Sequence, residues 1–341
     1  MAYPDYLVYG VASSILGYLV VRLSAPSLIR ALFKAGLRRP DAHKPGNPLV
    51  AHSGGVILFL GFLLSFSLLI AFGGLGFSEK VKLLAVLATS ALCFAVGLLD
   101  DKLVLKGVLK TFLTALSIIP ILVVALTYPA AIDWGRPVVP IIGRMRMTVI
   151  YWVLFPISIA GSANVVNMLD VLNGIVPGTA LVAFAALAVI GALSGDGLLL
   201  VIALVAVAIL LAYYPFNAYP ARVFNGDSGS LFIGGLLGAI AVVFHLEFVV
   251  LTLLLPHILN GFFVVVSFRG LREHREVKAR PIRVENGILK ASDDPKAPLT
   301  LTRLILSVGG PMTEKEVAKV YIAVEVVAAV LAVASYVLTP R

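Results

Sequence analysis

The chain has 341 residues, of which 60% are hydrophobic and only 13% charged, and its mean hydropathy is +1.02. A soluble domain is roughly 45–50% apolar and about 25% charged, and so few charges cannot cover this much apolar surface in water. The composition excludes a soluble globule and predicts an all-α, polytopic membrane protein; the net charge of +9 then reports topology before it suggests any nucleic acid.

A crossing helix needs about 20 apolar residues. Such runs lie near 5–24, 54–72, 81–99, 109–127, 148–167, 177–194, 197–215, 230–246, 248–268 and 317–338, which predicts ten spans. The start, MAYPDYLVYG, has neither a basic leader region nor a small-residue cleavage site, so the first run is expected to be a retained helix. Cys93 is the single cysteine; it excludes an intrachain disulfide and, within an apolar run, reads as packing. Connections are mostly short and no internal repeat is visible, so residues 1–341 read as one integral membrane domain without a soluble appendage. Segments 25–53 and 269–316 are the two longer exceptions.

Under ten spans, 21 of the 27 Lys and Arg fall on the side that holds segment 25–53. The positive-inside rule makes that side cytoplasmic. Loops 25–53, 100–108, 168–176, 216–229 and 269–316 are then cytoplasmic, and both termini are not.

Four polar motifs share this predicted face. In GLLDDKLVLKGVLK (97–110), the paired Asp100 and Asp101 end the third run, and adjacent like charges suit a shared cation. Lys102, Lys106 and Lys110 follow at four-residue spacing, one stripe on a helix; snorkelling lysines beside a solvated helix end are the plainer alternative. In SANVVNMLDVLNG (162–174), Asn164, Asn167, Asp170 and Asn173 recur every three residues. Their amides suit a metal or a nucleobase, or hydrogen bonds between helices. In RVFNGDSGS (222–230), Gly226 and Gly229 permit close backbone approach, Phe224 offers a flat face for a base, and Asp227 offers a metal ligand or a helix cap. In FRGLREHREVKARPIR (268–283), the arginines suit bidentate phosphate contacts or anionic lipid headgroups. Carboxylates, amides, lysines and arginines on one membrane face describe a Mg²⁺–diphosphate site.

These motifs, together with KPGNPLVAHSGGV (44–56), resemble the polyprenyl-phosphate N-acetylhexosamine-1-phosphate transferase superfamily across nearly the whole chain. The stretch RVENGILKAS (283–292) and the long loop after it are similar to the dolichyl-phosphate GlcNAc-1-phosphotransferase branch, of eukaryotic and archaeal type, more than to the bacterial phospho-MurNAc-pentapeptide translocase. The resemblance implies transfer of GlcNAc-1-phosphate from UDP-GlcNAc to a polyprenyl or dolichyl phosphate, with release of UMP, as a first membrane step of glycan assembly. It implies Mg²⁺, with Mn²⁺ as a substitute, held by Asp227 and Asn167. Asp100 and Asp101 correspond to paired aspartates near the metal and the acceptor phosphate, and Lys110 to a diphosphate contact. Phe224 and Asn173 correspond to uracil contacts, by stacking and by amide hydrogen bonding. His274 and Arg275, or Arg272 and Arg280, would meet the sugar and diphosphate, and Lys44 and Asn164 complete the substrate-binding set. Asp170 stands where the GlcNAc branch has a small residue, and Val171 where a glycine is expected. The implied partners are the two substrates and the bilayer, with a homodimer as a further expectation. The implied location is the cell membrane, or the endoplasmic reticulum membrane in a eukaryote. The same reaction on another UDP-HexNAc, such as UDP-MurNAc-pentapeptide, is the near alternative. A secondary transporter of an anionic substrate is the alternative from another class, although transporter sites gather at the midplane between repeats.

Overall fold

The computed structural model describes residues 6–44, 46–133, 135, 137–147, 149–268 and 279–339. Among them, nine helices are long and apolar enough to cross a membrane, and a bent pair makes up to ten. The spans are α1 (Tyr6–Lys34), α2 (Gly55–Phe72), α3 (Phe77–Leu103), the pair α4 (Gly107–Leu116) and α5 (Ile119–Thr127), α6 (Tyr151–Leu169), α7 (Ile175–Ser194), α8 (Gly197–Asn217) and α9 (Gly226–Val243). The bent pair is α10 (Glu247–Leu253) with α11 (Leu255–Phe268), and α13 (Glu314–Val337) is the last span.

Several elements differ from the sequence expectation, three of them as follows. Helix α1 runs on past residue 24 because Ala25 and Leu32 are buried and Leu28, Ile29 and Phe33 continue the packed face. The expected straight span over 248–268 bends by 69° between α10 and α11. Pro256 follows the break and has no N–H to close the helical ladder there. Helix α9 starts at Gly226 instead of residue 230, which puts Asp227 in its first turn.

The segment expected to be a plain loop, 269–316, carries structure of its own. Strands β5 (Ile282–Glu285), β6 (Ile288–Ala291) and β7 (Met312–Thr313) form an antiparallel sheet, and helix α12 (Leu301–Gly309) lies between β6 and β7 in the chain. Leu289, Leu301 and Leu306 bury with Leu169, Leu172, Ile175, Val317 and Tyr321 in a core separate from the helical bundle's. Arg303 pins this unit. Its guanidinium donates to the carbonyls of Ala297, Ser292 and Asp294 at 2.5, 2.8 and 3.1 Å. Two further hairpins pair β1 (Arg38–Pro40) with β2 (Leu49–Ala51) and β3 (Val138–Val139) with β4 (Gly143–Arg144). Strand β2 reaches the segment before α9: the Phe224 N–H donates to the Ala51 carbonyl at 2.8 Å.

Helix α9 is the axis of the fold. Nearly all its residues are buried, chiefly against α3 and α6. Gly97 on α3 permits the approach that matters most: a Cβ there would lie 2.2 Å from the Asp227 carbonyl oxygen. Any side chain would separate the end of α3 from the start of α9, and with it Asp100 and Asp101 from Asp227.

Candidate active site

Helix ends from four spans meet at one end of the bundle. Asp100 and Asp101 lie in the last turn of α3, Lys110 in the first turn of α4, Asn167 near the end of α6, and Asp227 in the first turn of α9. The Lys110 ammonium is at their centre. It donates to Asp100 Oδ2 at 2.9 Å, Asp227 Oδ2 at 3.0 Å and Asn167 Oδ1 at 3.3 Å. The Asn167 amide nitrogen donates in turn to Asp227 Oδ1 and Ser230 Oγ, both at 2.8 Å. One cation thus gathers three oxygens from three helices. The Asp227 side chain is 31% exposed against 7% for Asp100, so Asp227 is the group a ligand meets first.

The two adjacent aspartates divide the work. Asp100 faces Lys110, and its other oxygen accepts the Leu105 N–H at 2.5 Å, which closes the turn between α3 and α4. Asp101 is buried and caps α9 from outside. Its Oδ1 accepts the Asp227 N–H at 2.7 Å, and its Oδ2 accepts the Ser228 hydroxyl at 2.7 Å and N–H at 3.3 Å. A carboxylate there satisfies orphan donors and the positive end of the helix dipole together. Gly226, at φ +68°, leaves the room: a Cβ would lie 2.6 Å from Asp101 Oδ2.

Arg39 and His52 flank this cluster, and the sequence reading gave neither a chemical role. Arg39 donates to the Asp101 carbonyl at 3.3 Å, and His52 Nδ1 lies 3.6 Å from Asp101 Oδ1. Burial holds His52 below the ordinary histidine range, with Arg39 acting in the same direction and Asp101 opposing. Asp170 accepts the Asn225 amide at 3.0 Å. Burial pushes its carboxyl up to about 7, and the nearby charges of Asp227 and Asp101 add to the rise against the Asn225 hydrogen bond.

The remaining expected residues fall in several places. Asn164 donates to Thr114 Oγ1 at 2.9 Å and to the Ala160 carbonyl at 2.8 Å, which ties α6 to α4 one turn beyond Lys110. Phe224 is half-buried on the segment held by β2. Lys44 and Asn173 belong to a second polar cluster. The Lys44 ammonium rests on the Asp41 carboxylate and 4.9 Å from the Tyr219 ring centroid. The Asn173 amide nitrogen donates to Asp41 Oδ2 at 3.3 Å, and its main-chain N–H donates to Glu314 Oε1 at 2.7 Å. Arg272, His274 and Arg275 lie outside the described residues; Arg280 lies within them, just before β5. The sequence reading also missed Asp41, Asn217, Asn225 and Glu314. Asn225 stood inside a quoted motif, whereas Glu314 looks like any acidic residue opening a helix.

Among the described residues, two groups could hold a metal. Asp41, His43 and Glu314 bring ligand atoms within 4.8 Å of one another, but Asp41 and Glu314 are both buried, at 3% exposure each. The better fit is Asp227 with Asn167, beside Asp100. Their carboxylate and amide oxygens form the hard donor set that Mg²⁺ and Mn²⁺ take, they converge on a position that already attracts an ammonium, and Asp227 is open to ligands.

Residues 83–245 match the model of glycosyl transferase family 4. The chain is 29% identical over 265 residues to a Saccharolobus solfataricus protein provisionally named UDP-N-acetylglucosamine–dolichyl-phosphate N-acetylglucosaminephosphotransferase, covering 75% of this chain and 78% of that one. It is 32% identical over 272 residues to the phospho-N-acetylmuramoyl-pentapeptide-transferase of Geobacillus kaustophilus, covering 77% and 80%. The corresponding enzyme of Halalkalibacterium halodurans is 30% identical over 270 residues, covering 76% and 79%.

Proposed function

The chain belongs to glycosyl transferase family 4, among the polyprenyl-phosphate N-acetylhexosamine-1-phosphate transferases, and from that premise we propose that it moves GlcNAc-1-phosphate from UDP-GlcNAc to a polyprenyl or dolichyl phosphate, releasing UMP. The observation that carries the reading is the Lys110 ammonium held among Asp100, Asn167 and Asp227 at 2.9–3.3 Å. Phosphoryl transfer requires little beyond positioning and charge neutralisation, and this cluster offers both at the end of a multi-pass bundle.

The acceptor monoester has a second pKa near 6 and is mostly dianionic at pH 7. Attack on the β-phosphorus of the nucleotide therefore needs no strong base. Asp100 orients the acceptor by keeping Lys110 in place, and Lys110 offsets the charge that develops on the diphosphate oxygens. Asp227 and Asn167 would hold Mg²⁺, which would supply charge neutralisation to the diphosphate. Arg39, which donates to the Asp101 carbonyl, adds a positive group beside the same cluster. Asn173 and Phe224 take the base. The acceptor's tail stays in the bilayer, since each exposed CH₂ costs about 0.8 kcal/mol. The site faces the cytoplasm, on the strength of the asymmetric Lys and Arg distribution.

A second reading keeps the reaction and changes the donor to UDP-MurNAc-pentapeptide, which the two bacterial relatives favour by their names. Purified protein in nanodiscs with Mg²⁺ and dolichyl or undecaprenyl phosphate, offered each donor separately, tests both. UMP release with UDP-GlcNAc is expected; release only with the muramoyl donor moves the assignment to the second reading, and release with neither removes both.

A further inference from the structure

The turn between α6 and α7 carries two main-chain donors that no helical partner satisfies. The N–H groups of Asn173 and Gly174 stand just before α7, where a helix leaves its first donors free, and Gly174 holds the left-handed conformation at φ +81°. Both donors find side chains from distant parts of the chain. Gly174 donates to Asn217 Oδ1 at 3.1 Å. Asn173 donates to Glu314 Oε1 at 2.7 Å, across 141 residues of sequence. Glu314 is 3% exposed and Asn173 6%.

Glu314 is not needed to start its own helix. Thr313 and Glu316 already form a reciprocal capping box at the N-terminus of α13. Its second oxygen, Oε2, is buried with no hydrogen-bond partner among the described residues. A half-satisfied buried carboxylate is costly for stability, and departures of that kind concentrate where function requires them.

Asn173 is gripped on its side chain as well. A carboxylate only accepts, so the amide nitrogen must face Asp41, at 3.3 Å, and this fixes which way the amide is turned. We infer that Glu314 is a positioning residue for nucleotide recognition: its hydrogen bond to the Asn173 main chain, with the Asp41 contact to the amide, presents the Asn173 side chain to the uracil base. Glu314 also follows β7 directly, and β7 pairs with β6. The base-side turn is thereby fastened to the sheet that succeeds the basic segment in the chain. The inference rests on the reading of Asn173 as a base contact given above.

The test is UMP binding by calorimetry and steady-state kinetics on the full-length protein in nanodiscs. Glu314→Ala is expected to weaken UMP binding and raise KM for UDP-GlcNAc about ten-fold, the scale of one buried charge-assisted hydrogen bond. The lipid-phosphate KM and kcat should change less than three-fold, because the lost binding is uniform between ground and transition states. Glu314→Gln keeps an acceptor oxygen and is expected to restore UMP affinity; a purely structural role would instead lower kcat and both KM-related affinities together. Should Glu314→Ala fail to fold, Glu314→Asp, one methylene too short, replaces it with the same expected loss. Wild-type UMP affinity in the folded Ala or Asp variant overturns the inference. Asn173→Ala separates the two claims. If it leaves UMP affinity unchanged, the base-contact reading fails; if it weakens binding while the Glu314 variants do not, only the positioning role fails.

Discussion

Replacing Lys110 by methionine removes the charge at the centre of the site while keeping the stem's volume. Asp100 and Asp227 each place an oxygen 2.9 and 3.0 Å from the same nitrogen, so those oxygens are no more than about 6 Å apart. With an effective dielectric near 20, two unit charges at that separation repel by about 3 kcal/mol, and in the variant the ammonium that offset this is gone. The missing ammonium also leaves the transferring phosphate without its nearest cation, and a loss of that size corresponds to about 100-fold in rate. Lys110→Met is therefore expected to lower kcat/KM by about 100-fold or more. It should also melt at a lower temperature in chelator and gain more than wild type when Mg²⁺ is added, because a divalent cation then replaces the lost counter-charge. UMP release and thermal melts in nanodiscs, each with and without Mg²⁺, read both effects. Activity within three-fold of wild type, or an unchanged Mg²⁺ effect on melting, would refute the central role of the ammonium.

Asp101 acts through the helix it caps: Asp101→Ala is expected to cost about 2 kcal/mol of stability by orphaning the donors of Asp227 and Ser228, and an unchanged melting temperature would show the cap is dispensable. Asp170 predicts a pH effect with a definite sign. Its folded value of about 7 lies above the ordinary 3.8, so the stability it contributes is present in acid and lost as pH rises from about 4 through 7. In chelator, Asp170→Asn should therefore gain on wild type in melting temperature across that window; a constant difference between the two proteins would contradict this.

Much of the site was legible because chemistry and spacing agreed. Asp100, Lys110, Asn167 and Asp227 sit in polar motifs inside apolar runs, where a membrane tolerates polar groups only for a reason, and the structure brings these four together. What sequence could not convey was division of labour within a motif. Asp100 and Asp101 are neighbours on a helix and so point in different directions: one faces Lys110 and the other caps α9. Asn164 has the same stripe spacing as Asn167 yet binds Thr114, since a three-residue repeat drifts around the helix. Contacts over long separations, such as Glu314 to Asn173, leave no local periodic signal. The sheet within 269–316 was hidden for another reason. Its strands are two to four residues long, and their short alternation is submerged in charged and turn-forming residues.

The bond that breaks is the most direct point of decision. UDP-GlcNAc labelled with ³²P at the β-phosphorus, incubated with the purified protein, Mg²⁺ and dolichyl phosphate, reports where that phosphorus goes. Transfer of GlcNAc-1-phosphate predicts label in the organic-soluble lipid, unlabelled UMP in the aqueous phase, and loss of both products in Asp227→Asn. Label retained in UDP while sugar reaches the lipid, or no lipid product with any UDP-HexNAc, would contradict it.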